Sequence, residues 1–432
     1  MYFSIPDLTE ISTRQNNHQQ TYTLYHIHLN GQHFCNLRYS QLRQFHDDLQ
    51  RLNHQTIVFP PKKLFNLSRR ELDERRLLLE RYLQSIIQNK TILSSNLFNQ
   101  FFLCAQYETM KSMLTSLTER VNLTVEFLNH EKFYLENLLP ENSTNQIFDI
   151  CLKKFQIDFT YQTYFSLFFY DKQDQQMNLI RPLFSFESPY FSLLQSQKIH
   201  RNTCIVFKKS YWDINYDLKL IDNTRTRQFL FIQSEFDIEQ SKINSSCSKE
   251  FFEQLKFYYE ENSWKEYILH AQTLKLYGYN LLPNCSITIN EQETFSSCLL
   301  AVGNYELNCY VIDNDQQLSK EFSFKVTRIR CWKVNWTKDN LNLAFEYLIR
   351  KDTLQWIFIH SQQAPLISTC LQSMIDEILA KRMGAVHPVS NLVDVENQRT
   401  NLSNGLIIRT QADLDRFNNN KIFNEGEGDD DL

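Results

Sequence analysis

The chain has 432 residues, of which 42% are hydrophobic and 22% charged, a composition typical of globular proteins and not of disordered ones. At this length we expect two to four hydrophobic cores, because single cores stop growing well below it. The net charge of −5 argues against a general nucleic-acid binder, since affinity for phosphate backbones rests on an excess of Lys and Arg.

Common motifs of nucleotide, metal and catalytic sites are missing from the sequence. The seven Gly never take a G-x-G-x-x-G or G-x-x-x-x-G-K spacing, and the ten Cys include no C-x-x-C pair. No stretch approaches 18 consecutive apolar residues, and no signal peptide is recognisable. We expect a non-enzymatic, cytoplasmic protein without metal or cofactor that meets membranes only at their surface. Hydrolysis by scattered carboxylates stays the alternative.

Residues 1–108 predict a sheet followed by helices. Alternating apolar side chains and the tight-turn pair Asn30-Gly31 predict a hairpin over residues 21–38. The capping box Ser68-x-x-Glu71 predicts a helix start. Apolar residues at helical spacing predict the buried faces of two helices, Leu42, Phe45, Leu49 and Leu52 in the first and Leu72, Leu79, Leu83 and Ile86 in the second.

The rest of the chain divides into three units and a tail. Residues 115–208 alternate strands with a helix, and residues 209–275 are helical. Residues 276–383 predict strands, one of them continuous over 322–334, closed by a helix that begins at Ala364-Pro365. Residues 384–432 are polar and end in an acidic run, so we expect a disordered tail available to partners.

Cations are concentrated in the first domain. Residues 38–81 contain ten Lys or Arg against six Asp or Glu, a local balance of +4 in an acidic protein. Arg38-Tyr39-Ser40 combines a guanidinium group, suited to bidentate phosphate contact, with an aromatic ring. Pro60-Pro61-Lys62-Lys63 adds ammonium groups on a stiff loop. A solvated helix face without a ligand is the alternative interpretation.

Three motifs of this domain resemble those of PX (phox homology) domains in order and spacing: Arg38-Tyr39-Ser40, Phe59-Pro60-Pro61-Lys62, and Arg75-Arg76 followed by Leu79-Glu80-Arg81-Tyr82-Leu83. Such domains consist of a three-stranded sheet plus helices and bind phosphatidylinositol 3-phosphate. The resemblance implies that Arg38 holds the 3-phosphate and that Tyr39 stacks on the inositol ring, with Ser40 beside them. It also implies that Lys62 reaches the 1-phosphate and that Arg75 binds the 4- and 5-hydroxyls.

An apolar group follows the Pro-Lys loop. If Leu64, Phe65 and Leu67 are exposed, they insert into the lipid interface, where burying one large apolar side chain contributes about 1.5–3 kcal/mol. Packing of Leu64 and Phe65 onto the second helix is an equally strong alternative.

The order of the later units resembles a FERM module, with a ubiquitin-like lobe, a helical lobe and a PTB/PH-like barrel closed by a helix. A multidomain α+β chain of this order resembles the PX-FERM sorting nexins, as do the segments Phe3-Ser-Ile-Pro6, Lys209-Ser-Tyr-Trp212, Val326-Thr-Arg-Ile-Arg-Cys-Trp332, Ala344-Phe-Glu-Tyr-Leu348 and Cys370-Leu-Gln-Ser-Met374. The resemblance implies a peripheral adaptor of early and recycling endosomes that binds NPxY or NxxY motifs in receptor tails and diverts that cargo from lysosomal degradation.

The family resemblance also implies a peptide site in the last lobe. A peptide adds there as a strand at a sheet edge beside the C-terminal helix. We expect Trp332 to be the aromatic anchor. The expected edge strand comprises Ile329, Arg330, Cys331, Trp332, Lys333 and Val334, and the facing helix side comprises Leu371, Met374 and Ile375. An ordinary role in the core is the alternative, and without the resemblance these positions would not be proposed.

The tail contains two further candidate segments. Asn420 and Phe423 have the spacing of an Asn-x-x-Phe ligand, so the tail can fold back and compete with cargo. The resemblance implies that the last four residues, Asp429, Asp430, Asp431 and Leu432, bind the retriever recycling complex. A solubilising acidic end is the alternative explanation.

Two other functions stay open at the level of sequence. The first is a FERM scaffold at the cytoskeleton, a function that does not explain the cations Arg38, Lys62 and Arg75. A small GTPase could bind the ubiquitin-like lobe, although nothing in the sequence identifies the strand it would use.

Overall fold

The computed structural model describes residues 1–15, 18–52, 54, 56–63, 67–114, 119–173, 176–244, 248–289, 293–312, 318–336 and 341–388. Three sheets organise this part of the chain, and a helical region separates the second sheet from the third. The α+β class predicted from the sequence is therefore confirmed.

The first domain is a small sheet packed against helices. Its strands are β1 (Phe3–Ser4), β2 (Leu8–Gln15), β3 (His18–Leu29) and β4 (Gln32–Arg38), and its helices are α1 (Tyr39–Arg51), α2 (Arg69–Ile86), α3 (Lys90–Leu93) and α4 (Asn96–Met113). Strand β3 pairs antiparallel with the other three. We expected three strands, and the two-residue strand β1 adds a fourth.

Local signals in this domain give the predicted structure. Asn30 and Gly31 have φ angles of 47° and 85°, the left-handed backbone that an Asn-Gly hairpin turn requires. At the start of α2, Ser68 accepts a hydrogen bond from the backbone N–H of Glu71, whose carboxylate accepts one from Ser68 N–H. Leu52 was predicted wrongly as core, because α1 ends before it and leaves it 58% exposed.

The second sheet forms the ubiquitin-like lobe. Its elements are β5 (Val121–Glu126), β6 (Lys132–Leu138), α5 (Thr144–Phe155), β7 (Phe165–Gln173), β8 (Gln176–Pro182), α6 (Pro189–Ser196) and β9 (Thr203–Lys209). The strand order is β6-β5-β9-β7-β8, with β5 parallel to β9. The helical lobe follows, with α7 (Asp217–Ile221), α8 (Thr224–Asn244), α9 (Lys249–Glu260) and α10 (Trp264–Ala271).

The third sheet and one helix form the barrel lobe. Its elements are β10 (Asn280–Ile289), β11 (Glu293–Gly303), β12 (Glu306–Ile312), β13 (Leu318–Lys325), β14 (Ile329–Trp336), β15 (Leu341–Arg350), β16 (Thr353–His360) and α11 (Ala364–Arg382). The order β13-β12-β11-β10-β16-β15-β14 places β14 at one edge. The strand predicted over residues 322–334 is wrong, because a 3₁₀ turn at Val326–Arg328 divides it into β13 and β14.

Aromatic packing joins the first domain to the ubiquitin-like lobe. Phe184 and Phe186 follow β8 in the chain, yet they are buried in the core of the first domain. The ring centroid of Phe186 lies 5.2 Å from that of Phe98 and 5.8 Å from that of Phe34, both in edge-to-face geometry. Two rings from the segment after β8 therefore complete the hydrophobic core of the first domain.

A buried ion pair holds the segment that carries these rings. Two guanidinium nitrogens of Arg181 each donate to a carboxylate oxygen of Glu187 at 2.7 Å, and the two side chains are 3% and 0% exposed. Glu187 also accepts the backbone N–H of Phe184 at 2.7 Å. Gln106 of α4 accepts the N–H of Ser188 at 2.7 Å, so the polar network continues into the first domain.

The first domain also contacts the C-terminal helix. The Lys90 ammonium lies 2.8 Å from the Asp376 carboxylate in α11, and the Asn30 side-chain amide donates to Thr369 Oγ1 at 3.4 Å. In the same helix Thr369 accepts the amino group of Met1 at 2.9 Å. Helix α11 is thus held by the first domain as well as by its own sheet.

Replacing Phe186 with Ala should lower the free energy of unfolding by about 3–5 kcal/mol, the usual cost of truncating a buried Phe. Urea denaturation followed by fluorescence measures the change. Tyr134→Ala is the control, since Tyr134 is 59% exposed and its loss should cost less than about 0.5 kcal/mol. Equal losses from both substitutions would contradict the packing of Phe186 in the core of the first domain.

Candidate functional site

The predicted cation site begins where β4 ends and α1 starts. Arg38 has extended backbone with φ −86° and ψ 155°, and its guanidinium carbon lies 3.5 Å from the ring centroid of Tyr22. An interaction of this kind orients the guanidinium and is attractive. The first turn of α1 contains no acidic residue, so the positive end of the helix dipole adds to the Arg38 charge.

Tyr39 joins three segments of the site. Its hydroxyl donates to the carbonyl oxygen of Pro60 at 2.7 Å, and the guanidinium carbon of Arg75 lies 4.5 Å from its ring centroid. The Phe59 ring is 5.5 Å away on the proline segment. The start of α1, residues 59–60 and the first half of α2 are therefore held together, which brings Arg38, Tyr39 and Arg75 into one region.

A second tyrosine lies beneath Arg75. Burial raises the pKa of Tyr25, and the neighbouring Arg75 guanidinium opposes that rise. No hydrogen bond of good geometry reaches the Tyr25 hydroxyl from the described residues, although Arg75 is close enough to act on it. Sequence analysis did not identify Tyr22 or Tyr25 as part of this site.

Ion pairing separates the cations of the first domain into two groups. Among residues 38–81, six of the ten lie within 4.0 Å of a carboxylate: Arg43, Arg51, Lys63, Arg69, Arg70 and Arg76. In the part of the chain that the structure describes, Arg38, Lys62, Arg75 and Arg81 have no carboxylate at that distance. Three of these four are the predicted headgroup ligands, and Lys62 and Ser40 are exposed.

Lys63 has a different environment from that of Lys62. Its ammonium lies 2.6 Å from the Glu71 carboxylate at the start of α2. The hydrogen bonds from Lys63 and Ser68 lower the pKa of Glu71 to about 2. Lys63 therefore fixes the loop to the helix, which leaves Lys62 as the cation of that loop available to an anion.

The predicted membrane-insertion group is only partly described. Leu64 and Phe65 lie outside the described residues. Leu67 is partly buried and packs against the core of the first domain, and its insertion into the lipid interface stays a prediction. Ile57 and Val58, just before Phe59, are 46% and 90% exposed. An apolar pair next to a Pro-Pro segment is the signal that could have identified them.

The predicted peptide strand coincides with β14, which is the sheet edge beside α11. Trp332 is 7% exposed, and its indole N–H donates to Ser368 of α11 at 2.9 Å. It is therefore a packed link between strand and helix, and its role as the aromatic anchor of a bound peptide stays a prediction. Leu371 and Met374 are fully buried, so they support the helix from beneath, while Ile375 is partly exposed.

The remaining residues of β14 have distinct contacts. Ile329 is buried, and Val334 packs in part against the core. Arg330 forms an ion pair of 2.5 Å with Glu346 on β15, and the thiol of Cys331 also contacts Glu346. The ammonium of Lys333 lies 5.4 Å from the Trp356 ring centroid. These side chains fix the strand to β15 and β16, while its outer edge stays open in the described part of the sheet.

Glu377 fixes the other side of α11. Its carboxylate accepts the N–H of Asp213 at 2.9 Å and the hydroxyl of Tyr305 at 2.7 Å. Burial raises the pKa of Glu377. Trp212 donates its indole N–H to Ser373 at 2.9 Å. The helix that would face a peptide is therefore held rigidly.

The candidate tail residues, Asn420, Phe423, Asp429, Asp430, Asp431 and Leu432, lie outside the described residues. Within the described ranges, none of the helices is both long and apolar enough to cross a membrane. Over the same ranges, no cluster of three or more His, Cys, Asp or Glu has the arrangement of a metal site.

Comparison with known families assigns three parts of the chain. The description "PX domain" matches residues 25–105, "sorting nexin 17/27/31, FERM domain, F1 lobe" matches residues 121–212, and "Sorting Nexin 17 FERM C-terminal domain" matches residues 278–379. Sorting nexin-17 of Danio rerio is 38% identical over 405 residues, covering 89% of this chain and 82% of its own length. The chain belongs to the sorting nexin-17 family.

Other relatives agree with this assignment. Sorting nexin-17 of Homo sapiens is 38% identical, with coverage of 89% of this chain and 83% of its own length. Sorting nexin-31 of Homo sapiens is 28% identical over 375 residues, covering 83% of this chain and 82% of its own. This sorting nexin therefore combines a phosphoinositide-binding PX domain with a FERM module that binds protein cargo, and it associates with endosomal membranes.

Replacing Tyr22 with Leu should weaken binding of this sorting nexin to phosphoinositide vesicles about two- to thirtyfold. The lost cation–π contact with Arg38 is worth about 0.5–2 kcal/mol. Tyr22→Phe keeps the ring and should bind as the wild type does. Vesicle sedimentation measures affinity, with thermal unfolding as a check on folding. If Leu at position 22 binds as tightly as Phe, Tyr22 does not position Arg38.

Proposed function

We propose that this sorting nexin is a non-enzymatic cargo adaptor of early and recycling endosomes that binds phosphatidylinositol 3-phosphate through its PX domain. The observation that carries the proposal is the division of the cations. Arg38, Lys62 and Arg75 have no carboxylate within ion-pair distance among the described residues, whereas six neighbouring cations do. A phosphorylated headgroup supplies the missing anion.

The proposed roles follow the geometry of each side chain. Arg38, aligned by Tyr22, binds the 3-phosphate, and Lys62 on the proline loop binds the 1-phosphate. Arg75 donates to the 4- and 5-hydroxyls. The Tyr39 ring already contacts Arg75, so Tyr39 positions that guanidinium in addition to meeting the inositol ring with its remaining surface.

We also propose that the barrel lobe binds NPxY or NxxY motifs of receptor tails. Strand β14 is an edge strand, so backbone groups on its outer side can pair with an added peptide strand. Helix α11 packs across β14 and β15 and forms the other wall of the groove. Ile375 is the predicted helix residue that the structure leaves partly exposed, and it would contact the peptide.

Replacing Arg38 with Ala should reduce affinity for vesicles containing phosphatidylinositol 3-phosphate about ten- to a hundredfold, because hydrogen bonds to charged groups contribute about 1.5–3 kcal/mol. Vesicle flotation across the phosphoinositides measures both affinity and preference. Arg70→Ala is the matched control, since Arg70 is exposed and pairs with Glu74.

The same experiment separates the proposal from its alternatives. A FERM scaffold or small-GTPase effector without an endosomal role needs no 3-phosphate site. Equal vesicle binding by the wild type and the Arg38 variant would therefore reject the lipid half of the proposal and leave peptide capture alone.

Replacing Ile375 with Asp should weaken binding of an Asn-Pro-x-Tyr peptide at least about tenfold, because an apolar contact is lost and a carboxylate must be desolvated. Calorimetry with the full chain measures the affinity. Ile349→Asp, at the end of β15, is the control because Ile349 is 39% exposed and lies outside the proposed groove. Similar affinities of the two variants would argue against α11 as a wall of the site.

We propose two roles for the tail. The Asn420 to Phe423 segment competes with cargo for the barrel lobe, and the last four residues bind the retriever complex. Deleting residues 418–432 should raise affinity for the same peptide in calorimetry and abolish capture of retriever. Unchanged peptide affinity rejects the competition, and unchanged capture rejects the retriever assignment.

A further inference from the structure

A cavity lies where the three lobes of the FERM module meet. Its empty space of about 940 Å³ includes a part that is open to solvent. The walls come from β7, β8, β9 with the segment that follows it, α8, the start of β10 with the residues before it, and α11. The apolar side chains that line it include Phe168, Met177, Leu179, Phe236, Leu281 and Leu366.

Three buried polar atoms around this cavity have no hydrogen-bond partner among the described residues. They are Lys209 Nζ, Ser210 Oγ and Gln233 Oε1. Lys209 is 7% exposed and Gln233 is 4% exposed. The Lys209 ammonium lies 3.5 Å from the Asp217 carboxylate, so its charge is balanced although its hydrogen bonds are not made. Buried polar atoms are almost always bonded, so this cluster indicates a polar occupant.

Lys208 adds a second cation to the lining of the cavity. Its ammonium donates to the Tyr170 hydroxyl at 3.1 Å and to Asn280 Oδ1 at 3.0 Å, both neutral groups, and lies 5.2 Å from the Phe168 ring centroid. No described carboxylate lies within 4.0 Å of it. Burial lowers the pKa of Lys208 to about 8. Burying the Lys208 ammonium without an ion pair costs desolvation energy that an apolar side chain would not incur. A bound anion would offset this cost, so the position suits an anion site.

The surroundings of Lys208 restrict the charge of that anion. The ionisable groups that face Lys208 are Tyr170 from β7, Asp237 from α8 and Cys370 from α11. Asp237 accepts the N–H of Gly278 and the side-chain amide of Gln233, both at 2.9 Å. The several negative charges of a polyphosphate would meet only Lys208 as a cation outside an ion pair, and would be repelled by Asp237. A ligand with a single negative charge is matched by Lys208.

We propose that this cavity binds a small amphipathic carboxylate. The carboxylate accepts hydrogen bonds from Lys208, and the apolar body packs against Phe168, Leu179 and Leu366. Ser210 and Gln233 bond to any polar group the ligand has along its length. The site is separate from the PX headgroup site and from the β14 groove, since none of the residues of either site lines it.

Decanoate, kept below its micelle concentration, is the probe for this site in calorimetric titrations of the full chain. We expect it to bind the wild type and to bind Lys208→Met at least tenfold more weakly. Lys320→Met is the matched control, because the Lys320 ammonium also lies over aromatic rings, at 4.7 Å from Phe295, but is half exposed and paired with Glu293. That control should bind decanoate as the wild type does.

Two further probes separate charge from apolar contact. Decanol, which has no charge, should bind the wild type and the Lys208 variant weakly and equally, and inorganic phosphate should not compete with decanoate. Thermal unfolding checks that the Lys208→Met variant folds. If that variant does not fold, Lys208→Gln is used in its place. Failure of decanoate to bind, equal binding to wild type and variant, or competition by phosphate each overturns the proposal, and ordered water is then the occupant.

Discussion

The buried ion pair between Arg181 and Glu187 is the contact on which the arrangement of the two halves depends. It fixes the turn after β8, and that turn carries Phe184 and Phe186 into the core of the PX domain. Breaking a buried pair by removing one partner commonly costs about 3–5 kcal/mol. The PX domain and the ubiquitin-like lobe thus pack against each other as parts of one folded unit.

The same organisation extends to the barrel lobe through α11. The PX domain contacts this helix at Thr369 and Asp376, and the segment after β9 contacts it at Ser373 and Glu377. Trp332 joins it to β14. One helix therefore receives contacts from the PX domain and forms a wall of the proposed peptide groove.

Local features of the fold could be predicted from sequence, and long-range ones could not. The Asn30-Gly31 turn depends on a few adjacent residues, which is why the pattern predicts it. The contact between Tyr22 and Arg38 depends on strand register: Leu24 pairs with Arg38, so Tyr22 lies diagonally across from it. Likewise, nothing near Phe186 indicates that it packs in another domain. Trp332 shows the converse, since a family resemblance identified the residue but not its burial.

The contacts of Lys90 with Asp376 and of Asn30 with Thr369 have a geometric consequence for cargo. These contacts fix the orientation of the proposed β14 groove relative to the proposed headgroup site. With both proposed sites in use, a receptor tail would have to span the separation between them with its own residues before its motif reached the groove.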